Sequence, residues 1–126
     1  MDELQRLRDR IEVLETLLGL DEGDVSLIQQ VTGLGPVQAK ILSVLRKRRG
    51  VVWSKQMLFE VLYGDRPECD RPHGPNVIGE TVAKVRAKLH PLGMDLHTIY
   101  GAGYSMSEET RAKLTALMHH RLDRAA

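Results

Sequence analysis

The sequence predicts a mainly α-helical domain with one small β-hairpin, and three observations carry that prediction. Apolar residues recur at spacings of three and four in successive stretches, each bounded by Gly, Pro, Ser or Asp. One stretch, residues 95–106, alternates like paired strands around Gly101-Ala-Gly103. The 126 residues suffice for one modest core, and 42% hydrophobic with 28% charged residues argues against a disordered or fibrous chain.

The elements follow in order. In residues 1–20, Leu4, Leu7, Ile11, Leu14 and Leu18 fall on the a/d repeat of a short coiled coil. Glu3 and Arg10 then take g positions, and Arg8 and Glu15 take e positions. A parallel pair would match Glu3 with Arg8, and Arg10 with Glu15, of a second copy. We therefore expect a homodimer. The alternative is a single helix docked on its own domain, with Val13 and Leu17 widening the stripe, because so short a zipper is marginal alone.

Residues 21–35 read as a linker with a short helix over Val25–Val31, capped by Asp24. Gly33-Leu-Gly-Pro36 ends that helix and opens the next, whose one face carries Val37, Ile41, Val44 and Leu45. Its terminal run Arg46-Lys-Arg-Arg49 suits the negative end of a helix as well as it suits an anionic partner. Val51-Val-Trp53 reads as strand-like, and Ser54 as the cap of a helix over Lys55–Tyr63 that buries Met57, Leu58, Val61 and Leu62. Pro67, Pro72 and Pro75 keep residues 64–75 a loop.

The helix over residues 76–89 buries Ile78, Val82, Val85 and Leu89 and sets Thr81, Lys84 and Lys88 on its other side. Pro91 ends it near His90. After the hairpin, Ser107 caps a closing helix, Glu108–Arg124, whose Leu114, Leu117, Met118 and Leu122 pack on the domain or on a second subunit.

The formal charge of +1 conceals a segregation. Residues 1–35 hold three Lys or Arg against eight Asp or Glu, whereas residues 36–106 hold eleven against six. A basic middle with an acidic extension points to an anionic partner. Cys69 is the single cysteine, which rules out an internal disulfide and fits a reducing compartment. No apolar run reaches membrane-spanning length, and the charged start is unlike a signal peptide. His73 lies near Cys69 without a third orienting group, and the adjacent His119 and His120 point to different sides of a helix. No catalytic, cofactor or metal set is expected.

Helix, short strand, helix, loop, basic helix and glycine-tipped hairpin are the order of a winged helix-turn-helix. Residues 36–106 would form that domain, residues 1–20 a dimerising coiled coil, and residues 107–126 a C-terminal helix. Ser54-Lys-Gln-Met-Leu-Phe-Glu-Val-Leu-Tyr-Gly64, Asn76-Val-Ile78, Lys84-Val-Arg-Ala-Lys-Leu89 and Thr98-Ile-Tyr-Gly-Ala-Gly-Tyr104 resemble the effector domain of OmpR/PhoB-type response regulators. Leu62-Tyr-Gly64 is nearest to the CtrA-like branch, and the resemblance spans about residues 34–106, with no receiver domain or N-terminal sheet expected.

The resemblance implies a cytosolic, sequence-specific regulator of transcription, encoded by a bacterium or phage, that binds double-stranded DNA. Its helix 76–89 would enter the major groove, and its wing, residues 96–106, would lie on the backbone or minor groove. By motif position, Lys55, Asn76, Thr81, Lys84 and Arg86 would touch DNA, as would Thr98 and Tyr100 on the wing. Lys88 extends the basic flank, and Glu80 could accept from cytosine N4. Tyr100 stands where the family commonly has arginine. The loop 64–75, with Asp65, Glu68 and Asp70, resembles the segment offered to RNA polymerase.

Two other readings stay open. Val31–Ile41 also resembles a helix-hairpin-helix, which binds DNA without base preference. A winged helix can equally serve as a protein-interaction module.

Overall fold

The computed structural model describes residues 2–18, 22–47, 51–64, 67 and 74–125. Among them run α1 (Glu3–Leu18), α2 (Glu22–Thr32), α3 (Pro36–Lys47), α4 (Lys55–Tyr63), α5 (Val77–Leu89), β1 (Leu96–Ile99), β2 (Gly103–Met106) and α6 (Glu108–Ala125). The architecture is a winged helix-turn-helix, helical apart from its hairpin.

Local chemistry sets most boundaries. The Ser54 hydroxyl accepts the Met57 amide at 3.1 Å and starts α4, and the Ser107 hydroxyl accepts the Thr110 amide at 3.2 Å and starts α6. Gly33, at a φ of 76°, stops α2 in the left-handed region that favours glycine, and Pro36 opens α3. α2 and α3 thereby pack on each other across a three-residue turn. A 3-10 turn at His90–Leu92 finishes α5, as the following proline requires.

One core gathers these elements. Ile41, Leu42 and Leu45 of α3 meet Leu58 of α4, Ile78 and Leu89 of α5, and Trp53, all fully or almost fully buried. From α6, Leu114 and Met118 join them, whereas Leu122 is exposed. Arg111 of α6 is buried with a purpose. Its guanidinium donates to the carbonyls of Arg46 at 2.9 Å and Leu45 at 3.1 Å, closing the open end of α3, and also pairs with Glu108.

Three expectations need correction. α2 starts at Glu22, ahead of Asp24, so Asp24 is not its cap. Its carboxylate instead lies 3.5 Å from Arg46 and 3.1 Å from Lys47, an ion pair between residues distant in sequence. That pairing also gives the first half of the basic run a structural role; Arg48 and Arg49 lie outside the described residues. Val51–Trp53 is not a strand, because Trp53 alone forms an antiparallel bridge, exchanging backbone hydrogen bonds of 2.8 Å with Tyr104. The side chains of α1 also divide differently from the zipper expectation. α1 packs on α4, and Arg10 is bonded to Glu60 of its own chain at 3.0 Å rather than left for a partner's Glu15.

The hairpin pairs Leu96 with Met106 and Ile99 with Gly103 in antiparallel register. Two glycines in it face different demands. Gly101, at a φ of 77°, has open space where a side chain would go, so alanine there meets only backbone strain, about 1 kcal/mol. Gly103, at a φ of 150°, lies against the Trp53 carbonyl, so alanine must displace the Trp53–Tyr104 bridge as well. We predict that Gly103→Ala destabilises by about 3 kcal/mol, the strain plus two backbone hydrogen bonds, and clearly more than Gly101→Ala. Equal shifts in urea midpoint for the two variants would contradict this account of the wing.

Candidate nucleic-acid interface

The rotation of α5 decides what the surface presents. Ile78, Val82, Val85 and Leu89, spaced four, three and four, are all at most 2% exposed and seat the helix in the core. At about 100° per residue, the opposite line runs through positions 76, 80, 83 and 87. Asn76, Glu80, Ala83 and Ala87 are indeed all exposed, and among the described residues none of them is covered by another element. The face at issue is thus open.

Charged side chains flank this line. Lys84 and Lys88 are exposed on one edge and make no ion pair among the described residues. They border a groove of about 640 Å³ whose far wall includes Val31, Thr32 and Gln38 from α2 and α3. Thr81, expected beside them, is half-buried, and its hydroxyl donates to the Val77 carbonyl at 2.9 Å. Its one donor is therefore used inside the helix.

Arg86, on the other edge, is held by the hairpin. Its guanidinium donates to the Leu96 carbonyl at 2.8 Å and to the Thr98 hydroxyl, and its Nε lies 3.3 Å from the Asp95 carboxylate. Two residues expected to touch DNA, Arg86 and Thr98, are thus bonded to each other. The same carboxylate accepts the Leu96 amide at 2.8 Å, lies 3.4 Å from His90 Nε2, and has its backbone clamped by the Thr110 hydroxyl of α6. Slight burial pushes the Asp95 carboxyl up, but the Leu96 amide, His90 and Arg86 outweigh it and hold it below the usual 3.8.

Lys55 opens α4 and is exposed. Its ammonium reaches toward the first turn of α5, beside Gly79, where a Cβ would lie in ordinary contact at 3.5 Å from Lys55 Nζ. A cleft of about 500 Å³ separates this first turn of α4 from the hairpin, lined by Ser54, Lys55 and Gln56 on one side and Thr98 to Tyr104 on the other. Tyr100 stands at the hairpin tip, fully exposed. The lysine, the open helix face and the wing therefore share one side of the molecule.

Ala83 and Ala87 were missed in the sequence. They carry no charge or hydrogen-bonding group, yet the helical wheel alone puts them on the central outward line. Their small side chains let the helix backbone come close to whatever it faces, and a methyl can meet the methyl of thymine. Asp65, Glu68, Cys69, Asp70 and His73 all lie outside the described residues. Among the described residues no helix is long and apolar enough to cross a membrane, and no group of three or more His, Cys, Asp or Glu is placed to hold a metal.

An open, lysine-flanked helix beside a hairpin on a three-helix core defines the DNA-binding domain of a winged-helix transcription regulator. Comparison with known proteins agrees. Residues 29–106 match the family described as "Transcriptional regulatory protein, C terminal", and the chain belongs to that family, the OmpR/PhoB-type effector domains. It is 30% identical over 107 residues to the two-component response regulator PhoP of Pseudomonas aeruginosa, covering 83% of this chain and 46% of that protein. The chain thus spans about half the length of this curated relative. No solved structure gives a significant match. The family match begins within α2 and ends with β2, so α1 and α6 lie outside it.

The Arg86–Asp95 contact has a titration signature. Because the folded carboxyl titrates below its ordinary value, its stabilising contribution is complete above about pH 4 and is lost as pH falls through the lower folded value. Arg86→Ala should raise the Asp95 midpoint in a carboxyl NMR titration. A midpoint that does not move would mean that Arg86 does not hold Asp95 in solution.

Proposed function

We propose that this domain is a sequence-specific reader of double-stranded DNA that regulates transcription, with α5 in the major groove and the β1–β2 wing along the backbone or minor groove. The observation that carries the reading is the uncovered central line of α5, Asn76, Glu80, Ala83 and Ala87, with Lys84 and Lys88 alongside. Asn76 and Lys84 offer donors to base edges, Glu80 offers an acceptor to cytosine N4, and the alanines offer apolar contact to thymine.

Phosphates are met at the edges. Lys55 at the start of α4 adds a cation where the helix dipole is already positive, an arrangement that is unfavourable alone and becomes favourable once an anion is bound. Lys88 serves the backbone on the far edge, and Tyr100 reaches it from the wing, donating its hydroxyl. Arg86 and Thr98 act by position: their mutual bond sets the angle of the wing against α5. Thr81 contributes through its methyl, its hydroxyl being engaged within the helix.

Salt and substitution separate these roles. Log affinity for duplex DNA should fall linearly with log salt, and Lys55→Ala should reduce the slope by about 0.9, the loss of one phosphate contact. Lys84→Ala should cost about 1–3 kcal/mol on the preferred site and relax selectivity at one base pair. A salt slope near zero, measured by fluorescence anisotropy, would instead support a protein-interaction module. Equal affinity for all sequences would support a non-specific binder.

A further inference from the structure

α1 has two opposite faces, and among the described residues only one of them is occupied. Val13 and Thr16, 1% and 6% exposed, face the domain, where α1 packs on α4, and Arg10 bonds Glu60 of α4 alongside them. At about 100° per residue, Leu4, Leu7, Ile11 and Leu14 lie about half a turn away from Val13 and Thr16. Those four side chains are 57, 55, 55 and 44% exposed, so docking on α4 leaves the whole stripe in solvent. Leu18 continues the repeat at the end of α1; its side chain is not among those described.

We infer that this outer stripe pairs with the same stripe of a second copy of this chain, as a short parallel coiled coil. Its chemistry is self-complementary. The spacing of three, four and three places Leu4 and Ile11 at a and Leu7 and Leu14 at d, the leucine-at-d pattern of two-stranded coils. Glu3 at g meets Arg8 at e of the other copy, and the symmetric contact repeats across the seam. Arg10 is held by Glu60 and takes no part. A helix of 16 residues is marginal by itself, but packing on α4 already orders this one, so pairing does not have to meet that cost.

The second face gives the pairing a consequence at DNA. This step deepens the DNA-reading proposal and rests on it; the pairing itself does not. α1 is fixed to α4, and α4 begins with Lys55 at the DNA-facing cleft, so the two reading faces are held at one separation and orientation. Paired half-sites at the matching spacing should bind cooperatively, and moving them half a helical turn apart should remove the cooperativity.

The test uses the intact chain and Ile11→Lys, a change at an exposed position, with thermal unfolding followed by circular dichroism to verify that the fold is kept. Without DNA, sedimentation equilibrium should give twice the chain mass for the wild type and a single chain mass for Ile11→Lys. A wild type that stays monomeric up to its highest soluble concentration overturns the inference, and so does an Ile11→Lys protein that still dimerises. On DNA, the variant should keep its affinity for a single half-site while losing about 10²-fold on paired half-sites. Failure of the wild type to bind any half-site would sink the DNA-reading proposal and leave the mass measurement, and hence the pairing, standing.

Discussion

The seating of α5 is the constraint from which the surface of this domain follows. Four apolar side chains on one stripe are buried to 2% exposure or less, so any rotation of the helix would put branched hydrocarbon into water. Each such side chain is worth about 1.5–3 kcal/mol when buried, so the stripe as a whole fixes the rotation far more firmly than any polar contact on the other side does. Asn76, Glu80, Ala83 and Ala87 face outward for that reason. The outward face is a by-product of the core, and its orientation is inherited from it.

A second set of constraints joins that face to the wing. Arg86 spans from α5 to the Leu96 carbonyl and Thr98, Asp95 ties the same arginine to the start of β1, and Thr110 fixes Asp95 to α6. From the other strand, Tyr104 is bridged to Trp53, whose side chain is buried in the core. The hairpin has only two strands and is too small to be stable alone. It holds its angle because both of its strands are anchored to the helical body.

The basic and acidic parts of the chain also have distinct uses. Some of the positive charge is consumed internally, Arg46 and Lys47 by Asp24, Arg111 by the end of α3, and Arg86 by the wing. Among the described residues, Lys55, Lys84 and Lys88 are exposed cations on the side that carries the open face of α5. Counting charges along the chain therefore overstates what is offered to a partner.

Much of this was legible in the sequence because it is governed by local rules. Helical period placed the stripes of α3, α4 and α5, hydroxyl caps placed Ser54 and Ser107, and glycines placed the turn of the hairpin; each depends on residues within a few positions of one another. The stripe of α5 also implied its outward line, although the uncharged Ala83 and Ala87 gave no chemical signal. What only the tertiary structure decided was partnership. Arg86 lies on the same helix as Lys84 and Lys88 and looks equivalent to them in sequence, yet β1 comes within reach of the arginine and of neither lysine. Asp24 has the character of a cap but is drawn to the end of α3, and Arg10 turns to Glu60, fifty residues away. Hydrophobic periodicity is a property of one segment, whereas the choice of a polar partner depends on which distant segments the folded chain brings together.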